Sequence, residues 1–171
     1  TVRPLETVAA FVAGHRLERG AGSEPRYVRR PVRVVESRVE KRYELAVRAP
    51  GRPTEEELAR RPDSAWLRLA EDLRARIAGA GSTLVFTNSR RLAERLTRLV
   101  NEAAGREVAW SHHGSLSREL RAAIERRLKE GALPAIVATS SLELGIDIGA
   151  LDQVLMVQAP RSLASAAQRV G

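Results

Sequence analysis

The sequence lacks cysteine altogether, and it holds only two each of Phe, Trp and Tyr among 171 residues. The absence of cysteine excludes a disulfide framework, a Cys-ligated zinc or iron–sulfur site and a thiol nucleophile. No apolar run approaches the roughly 20 residues that a bilayer-spanning helix needs, and no signal peptide opens the chain. These absences predict a soluble, cytoplasmic protein without a membrane partner. Its length allows one domain of ordinary size.

Lysine is nearly absent too, because only Lys41 and Lys129 stand among the 29 basic residues; the rest are Arg. With 21 acidic residues, the formal net charge is +8. The planar guanidinium suits phosphate, so this charge favours a nucleic-acid partner. An Arg-rich genome would give the same composition, and composition alone leaves the two interpretations open.

The first 53 residues follow no regular pattern. An apolar-periodic stretch that begins at Leu5 ends at Gly14, and a polar loop with glycines and a proline follows. Two β-branched runs, residues 31–35 and 42–47, predict strands. Residues 50–53 form a Pro/Gly break.

From Thr54 onward, apolar strands alternate with amphipathic helices. Helices are predicted from Thr54, from Asp63 as N-cap to Gly79, over 89–104, over 117–130 and from Ser162. Strands are predicted over 83–87, 108–110, 134–138 and 153–157. Short apolar strands between such helices indicate an α/β fold, with a mostly parallel sheet flanked by helices on both faces. Ligands in such folds bind at the carboxyl ends of the strands.

The loop after the first of these strands, residues 87–91, places an amide, a hydroxyl and two guanidinium groups at a helix N-terminus. Free backbone N–H groups there form a natural phosphate seat. Asn88 or Ser89 could equally serve only as the helix cap. Both interpretations stay open.

The loop over residues 111–117 contains His112 and His113. Adjacent histidines point in different directions, which argues against a shared metal ion, and no metal site is predicted. Ser117 can cap the next helix. Arg121 near that N-terminus is unfavourable on dipole grounds, which leaves room for an anion.

The loop over residues 139–148 starts with three hydroxyl residues, which can hydrogen-bond phosphate. Gly145 permits close approach, and Asp147 is a carboxylate among apolar neighbours that could accept from a ribose hydroxyl. A purely structural turn at Asp147 is the alternative.

No complete active site is present. The phosphate-loop and dinucleotide fingerprints are missing, as are a strand-end Asp-Glu pair for magnesium and a Gly-x-Ser-x-Gly nucleophile elbow.

Together these loops resemble the second RecA-like domain of superfamily 2 helicases, most closely the large-helicase-related (Lhr) family of ATP-dependent DNA helicases. The similar segments are, in chain order, Thr1–Glu6 (end of motif III), Thr83–Arg90 (motif IV), His112–Glu119 (the His-His-Gly-Ser segment), Ala138–Asp147 (motif V) and Gln168–Gly171 (start of motif VI).

The resemblance implies a RecA-like three-layer fold and two sets of site residues. The backbone of one nucleic-acid strand would be held by Asn88, Ser89, Arg90, Gly114, Arg121, Thr139 and Ser140. The nucleotide would be contacted by Gly145, Asp147, Gln168 and Arg169.

It further implies that residues 54–171 form the second lobe and residues 1–53 an inter-lobe connection with edge strands. ATP and Mg²⁺ would be held mainly by the first RecA-like lobe of the same polypeptide. The nucleic-acid partner would be single-stranded or tailed DNA, with RNA or an RNA–DNA hybrid as alternatives. The arginine fingers of motif VI come after Gly171, so this chain alone is expected to be inactive.

Two other functions remain open on the sequence. One is a stand-alone nucleic-acid-binding module without ATPase activity. The other is a doubly wound enzyme or nucleotide binder.

Overall fold

The computed structural model describes residues 4–19, 24–35, 42–142 and 151–170. The chain divides into two compact units, Thr1–Ala46 and Val47–Gly171. Among the described residues, no helix combines the length and apolar character that crossing a membrane would require.

The first unit contains one helix and one hairpin. Helix α1 spans Leu5–Ala13 and ends at Gly14, whose φ of +64° favours glycine and whose N–H donates to Ala10 O at 3.2 Å. Strands β1 (His15–Glu18) and β2 (Arg26–Arg29) pair antiparallel as a two-stranded sheet. The predicted end of the apolar stretch at Gly14 is confirmed.

The strands predicted over 31–35 and 42–47 are wrong, because neither segment is in a strand. A β-branched run becomes a strand only where a neighbouring backbone completes its hydrogen bonds and one face is covered. Val32 and Val35 are exposed instead. A hairpin forms further upstream instead, around the predicted polar loop. It was not predicted, because its strands do not show the alternation of apolar and polar residues that indicates a strand.

The second unit is built from helices α2 (Glu55–Arg60), α3 (Ser64–Ala78), α4 (Arg90–Ala104), α5 (Arg118–Lys129) and α6 (Leu163–Val170), with strands β3 (Thr83–Phe86), β4 (Ala109–His112), β5 (Ala135–Ala138) and β6 (Gln153–Met156). The four strands form a parallel sheet in the order β4-β5-β3-β6. The α/β fold with a parallel sheet is therefore confirmed.

Helices cover both faces of this sheet because successive strand residues point to opposite sides. On one face, Val85 and Val137 pack with buried residues of α3 and α4, including Leu73 and Leu96. On the other face, Phe86 joins apolar residues of β5 and α5. The result is the three-layer arrangement that the alternating pattern predicts.

Local capping explains where several helices begin. Thr54 and Glu57 form a reciprocal capping box at α2. Ser89 and Ser117 accept from the backbone N–H groups three residues ahead, at 3.3 and 3.2 Å. Asp63 stands at the N-cap of α3 as predicted, but its side chain makes no capping hydrogen bond.

Candidate functional site

The carboxyl ends of all four parallel strands are aligned at one edge of the sheet. In the strand register, Ala138 lies opposite Phe86 and also opposite His112, and Phe86 lies opposite Met156 on its other side. The loops that follow the strands therefore leave the sheet at the same level. This register brings the sequence-predicted polar loops together.

Backbone hydrogen bonds extend the alignment one residue into the loops. Thr87 N–H donates to Ala138 O at 2.8 Å, and Thr139 N–H donates to His112 O at 3.1 Å. The Thr87 hydroxyl is buried and donates to Ser89 O at 3.1 Å. The loop starts are thereby fixed by the sheet, whereas the side chains of Ser89, Arg90 and Ser140 beyond them are exposed.

Asn88 and Ser89 have separate tasks, although the sequence left either as the helix cap. Ser89 caps α4. The backbone N–H of Asn88 donates to Gln158 Oε1 at 2.9 Å, and its amide Nδ2 donates to Ala159 O at 2.8 Å. Asn88 thus joins the loop after β3 to the loop after β6.

Arg169 completes this junction from helix α6. Its side chain is buried, Nη2 donates to Asn88 Oδ1 at 3.2 Å, and the guanidinium lies 5.0 Å from the centre of the Phe86 ring. An Arg packed on an aromatic face combines cation–π attraction with apolar contact. The neighbouring Gln168 side chain is exposed.

Arg90 links the loops after β3 and β4. Its Nη1 donates to Ser115 Oγ at 2.8 Å, and both residues are exposed. Gly114, next to Ser115, is also exposed, and a Cβ placed there would meet no atom within 4 Å. The surface around Arg90 is therefore open to a ligand.

His112 lies beneath this surface and is fully buried. Its Nε2 is 3.0 Å from Glu125 Oε1 on α5, and its Nδ1 is 2.9 Å from the hydroxyl of Ser141, in the short 3-10 turn after β5. Burial lowers the pKa of His112, and the Glu125 carboxylate only partly opposes that effect. A neutral imidazole therefore joins α5 to the turn that carries Thr139 and Ser140.

His113 turns to a different element, as the sequence predicted for adjacent histidines. Its Nε2 lies 3.1 Å from Glu94 Oε1 on α4, although the two atoms are not aligned for a hydrogen bond. Among the described residues, no three His, Asp or Glu side chains are grouped closely enough to hold a metal ion.

Arg121 lies half-buried on α5 and close enough to His112 to lower its pKa. Its buried Nε has no hydrogen-bond partner among the described residues. Thr139 is half-buried and Ser140 exposed at the neighbouring strand end. Hydroxyl and guanidinium donors are thus gathered at one sheet edge, where they can hydrogen-bond an anion.

The structure brings most of the residues that were predicted to contact a nucleic-acid strand to one edge of the sheet. Gly145 and Asp147 lie outside the described residues. The supporting roles of Glu125, Ser141 and Gln158 were missed by the sequence analysis. The sequence offered one signal for these roles, which is that His112 and Asn88 are polar residues at the ends of apolar strands. The side chains that contact them come from distant segments, so the sequence did not indicate which residues they are.

Comparison with known proteins agrees with this geometry. Residues 67–171 match the family of the helicase conserved C-terminal domain. Over its whole length the chain is 38% identical to the Lhr helicase/probable uracil glycosylase of Mycolicibacterium smegmatis, covering 12% of that protein. It is 35% identical to the ATP-dependent helicase Lhr-Core of Methanothermobacter thermautotrophicus, covering 19% of it. The chain therefore spans less than a fifth of these relatives.

Solved structures show the same similarity. The structure of Mycobacterium smegmatis helicase Lhr bound to ssDNA and AMP-PNP superposes with a TM-score of 0.75 and 42% identity, over 99% of this chain and 21% of that one. The DUF1998 helicase MrfA bound to DNA and AMPPNP superposes with a TM-score of 0.53 and 32% identity, over 61% of this chain and 16% of that one. The RecA-like α/β fold and these matches lead to one conclusion: the chain belongs to the helicase conserved C-terminal domain family and, within it, to the Lhr helicases of superfamily 2.

Proposed function

We propose that this chain is the second motor lobe of an ATP-dependent DNA helicase or translocase. It would supply one wall of the ATP cleft and part of the track for a single DNA strand. The observation that carries the proposal is the alignment of the loops after β3, β4 and β5, which collects exposed or half-buried donors at one sheet edge. The ssDNA and AMP-PNP of the M. smegmatis Lhr structure support these two ligand classes.

The strand would be held through its phosphates, because the aligned groups are hydroxyl, amide and guanidinium donors. The proposed contacts are Asn88, Ser89, Arg90, Gly114, Arg121, Thr139 and Ser140. Such contacts carry no sequence information, so binding should be largely sequence-independent and should weaken with salt.

The nucleotide would be contacted by Gly145, Asp147 and Gln168. Arg169 is buried, so it would support the nucleotide side of the lobe indirectly, through its hydrogen bond to Asn88. Mg²⁺ would be held by the first lobe together with the phosphates of ATP. Opening and closing of the two lobes would move the protein along the strand.

The first test is binding of a fluorescein-labelled (dT)20 oligonucleotide by the 171-residue chain, followed by fluorescence anisotropy. Arg90→Ala is expected to weaken binding by about 5-fold, the effect of losing one contact of about 1 kcal/mol. Arg98→Ala is the matched control, because Arg98 lies on the same helix and pairs with Glu102 at 2.6 Å. Equal effects of the two substitutions would contradict a specific track.

The second test concerns catalysis. The isolated chain is expected to hydrolyse no ATP, and robust turnover would overturn the assignment. In a complete two-lobe protein, Arg90→Ala and Thr139→Ala should lower DNA-stimulated ATPase activity with the melting temperature nearly unchanged. Unaltered DNA-stimulated ATPase activity in both variants would contradict the motor-lobe assignment, and DNA binding by a protein that has no first lobe would favour the stand-alone binding module.

A further inference from the structure

The β1–β2 hairpin of the first unit presents one sheet face whose side chains are all exposed. In the antiparallel register, His15 lies opposite Arg29 and Leu17 lies opposite Tyr27. Directly opposed residues project from the same face of a sheet, so these four side chains share one face. Tyr27 is 73% exposed and Leu17 is 42% exposed.

The opposite face of the hairpin is different. Val28 is half-buried there, and Arg16 Nη2 pairs with Glu18 Oε1 at 2.6 Å. Arg16 is thus paired on its own face, which also carries Arg26, opposite Glu18. Arg29, on the exposed face, forms no ion pair within the described part of the chain.

The hairpin region is also strongly cationic. Residues 15–33 contain six Arg and two Glu, which gives a net charge of +4 with histidine neutral. A surface of this charge attracts a polyanion. These residues belong to the first unit, and the residues named above for the candidate site belong to the second.

An exposed aromatic ring beside a guanidinium on a sheet face is the arrangement that binds single-stranded nucleic acid in many proteins, since the ring stacks on a base and the cation contacts the phosphates. A two-stranded hairpin is only marginally stable by itself, so a ligand that covers this face would also stabilise it.

We propose that the face formed by His15, Leu17, Tyr27 and Arg29 is a second contact for single-stranded DNA, separate from the loops after β3, β4 and β5. Tyr27 stacks on an unpaired base, and Leu17 extends the apolar surface beside the ring. Arg29 and the ring N–H of His15 donate hydrogen bonds to the phosphate backbone of the DNA. The partner is recognised by its unpaired bases together with its phosphates, and not by sequence.

The central test compares Tyr27→Ala and Tyr27→Phe in the 171-residue chain. Binding of labelled (dT)20 should weaken about 5- to 10-fold for Tyr27→Ala, because stacking on one base is lost, and should stay nearly unchanged for Tyr27→Phe. Binding of a duplex of the same length should change less, since its bases are already stacked. An equal loss for duplex and single strand would overturn the stacking role.

The charge is tested with a matched pair on opposite faces. Arg29→Gln should reduce the slope of log affinity against log salt by about 0.7, the value for one phosphate contact to a single strand. Arg16→Gln removes the same charge from the other face and should leave the contact intact. Identical slopes for the two variants would overturn the assignment of a specific face.

Photocross-linking of the unmodified chain to an iodouracil-substituted oligonucleotide keeps the proposal testable if a hairpin variant loses its fold. Cross-links at residues 26–29 are expected, and their absence alongside cross-links in the loops after β3 and β5 would overturn the proposal. The Arg90→Ala result separates this inference from the proposed function. Loss of binding with Arg90→Ala, but not with Tyr27→Ala, overturns only the hairpin contact. Loss of binding with Tyr27→Ala, but not with Arg90→Ala, overturns only the proposed contact at the loops after β3, β4 and β5.

Discussion

His112 and Glu125 are joined inside the protein by a 3.0 Å contact between the imidazole Nε2 and the carboxylate Oε1. A carboxylate only accepts hydrogen bonds, so the neutral imidazole must carry its proton on Nε2. Nδ1 lies 2.9 Å from the Ser141 hydroxyl, which donates to the backbone O of His112 at 3.1 Å. His112 therefore joins helix α5 to the turn after β5, beside Thr139 and Ser140.

The burial of His112 makes the free energy of unfolding depend on pH in a defined direction. Because burial lowers the pKa of His112 below its ordinary value of 6.5, the unfolded chain takes up a proton at a higher pH than the folded chain. The contribution is complete above pH 6.5 and is lost as the pH falls below it toward the folded-state pKa. Urea unfolding followed by circular dichroism across this range should show the decline.

His112→Gln should flatten that part of the pH profile, and His15→Gln is the control because His15 is exposed. A decline that persists unchanged in His112→Gln would assign the pH dependence to other groups.

The buried Arg169 should be important for stability. Arg169→Ala removes the hydrogen bond to Asn88 Oδ1 and the packing on Phe86, and we expect a loss of about 2–3 kcal/mol in the free energy of unfolding. Arg169→Lys keeps the charge without the planar group and should recover only part of that loss. Chemical denaturation measures both. An Arg169→Ala variant as stable as the parent chain would show that Arg169 is not needed to hold the Asn88 loop.

Arg121 should show the reverse behaviour. Its Nε is buried without a partner among the described residues, so removing it sacrifices no internal hydrogen bond there. We expect Arg121→Gln to leave the melting temperature unchanged or raised, while affinity for (dT)20 falls about 5-fold. Because Arg121 lowers the pKa of His112, that pKa should rise in the variant, as NMR titration can measure. Arg126→Gln, at an exposed position on the same helix, serves as the control.

The amino-terminal edge of the sheet provides a test of whether DNA binding is confined to the carboxyl edge. Asp152 Oδ2 accepts from Ser82 N–H at 2.7 Å and from the Ser82 hydroxyl at 3.2 Å, before β6 and β3 begin. Asp152→Ala should cost about 1–2 kcal/mol of stability without changing DNA affinity. Gly81→Ala should also destabilise, because the new Cβ would lie 2.7 Å from Asp152 Oδ2. A marked loss of DNA affinity in a folded Asp152→Ala chain would contradict the assignment of the site to the carboxyl edge.

Much of the second unit follows from local sequence. The capping Ser117 and the apolar strand around Val85 act within a few residues, so their pattern is readable without the fold. No strand forms over 31–35 or 42–47, because a strand depends on a partner that the segment itself does not contain. The hairpin at His15–Glu18 was missed for the same reason.

The sequence by itself determined the alternation of strands and helices and the family, since periodicity and motif order are properties of the chain alone. Only the tertiary structure decided that Asn88 bridges two loops while Ser89 caps a helix, that Arg169 is buried on Phe86, and that His112 binds Glu125 and Ser141. The partners of Asn88, Arg169 and His112 in these roles stand 13 or more residues away in the chain. The register of the parallel strands brings these atoms together, and no local sequence pattern specifies which distant residues will meet.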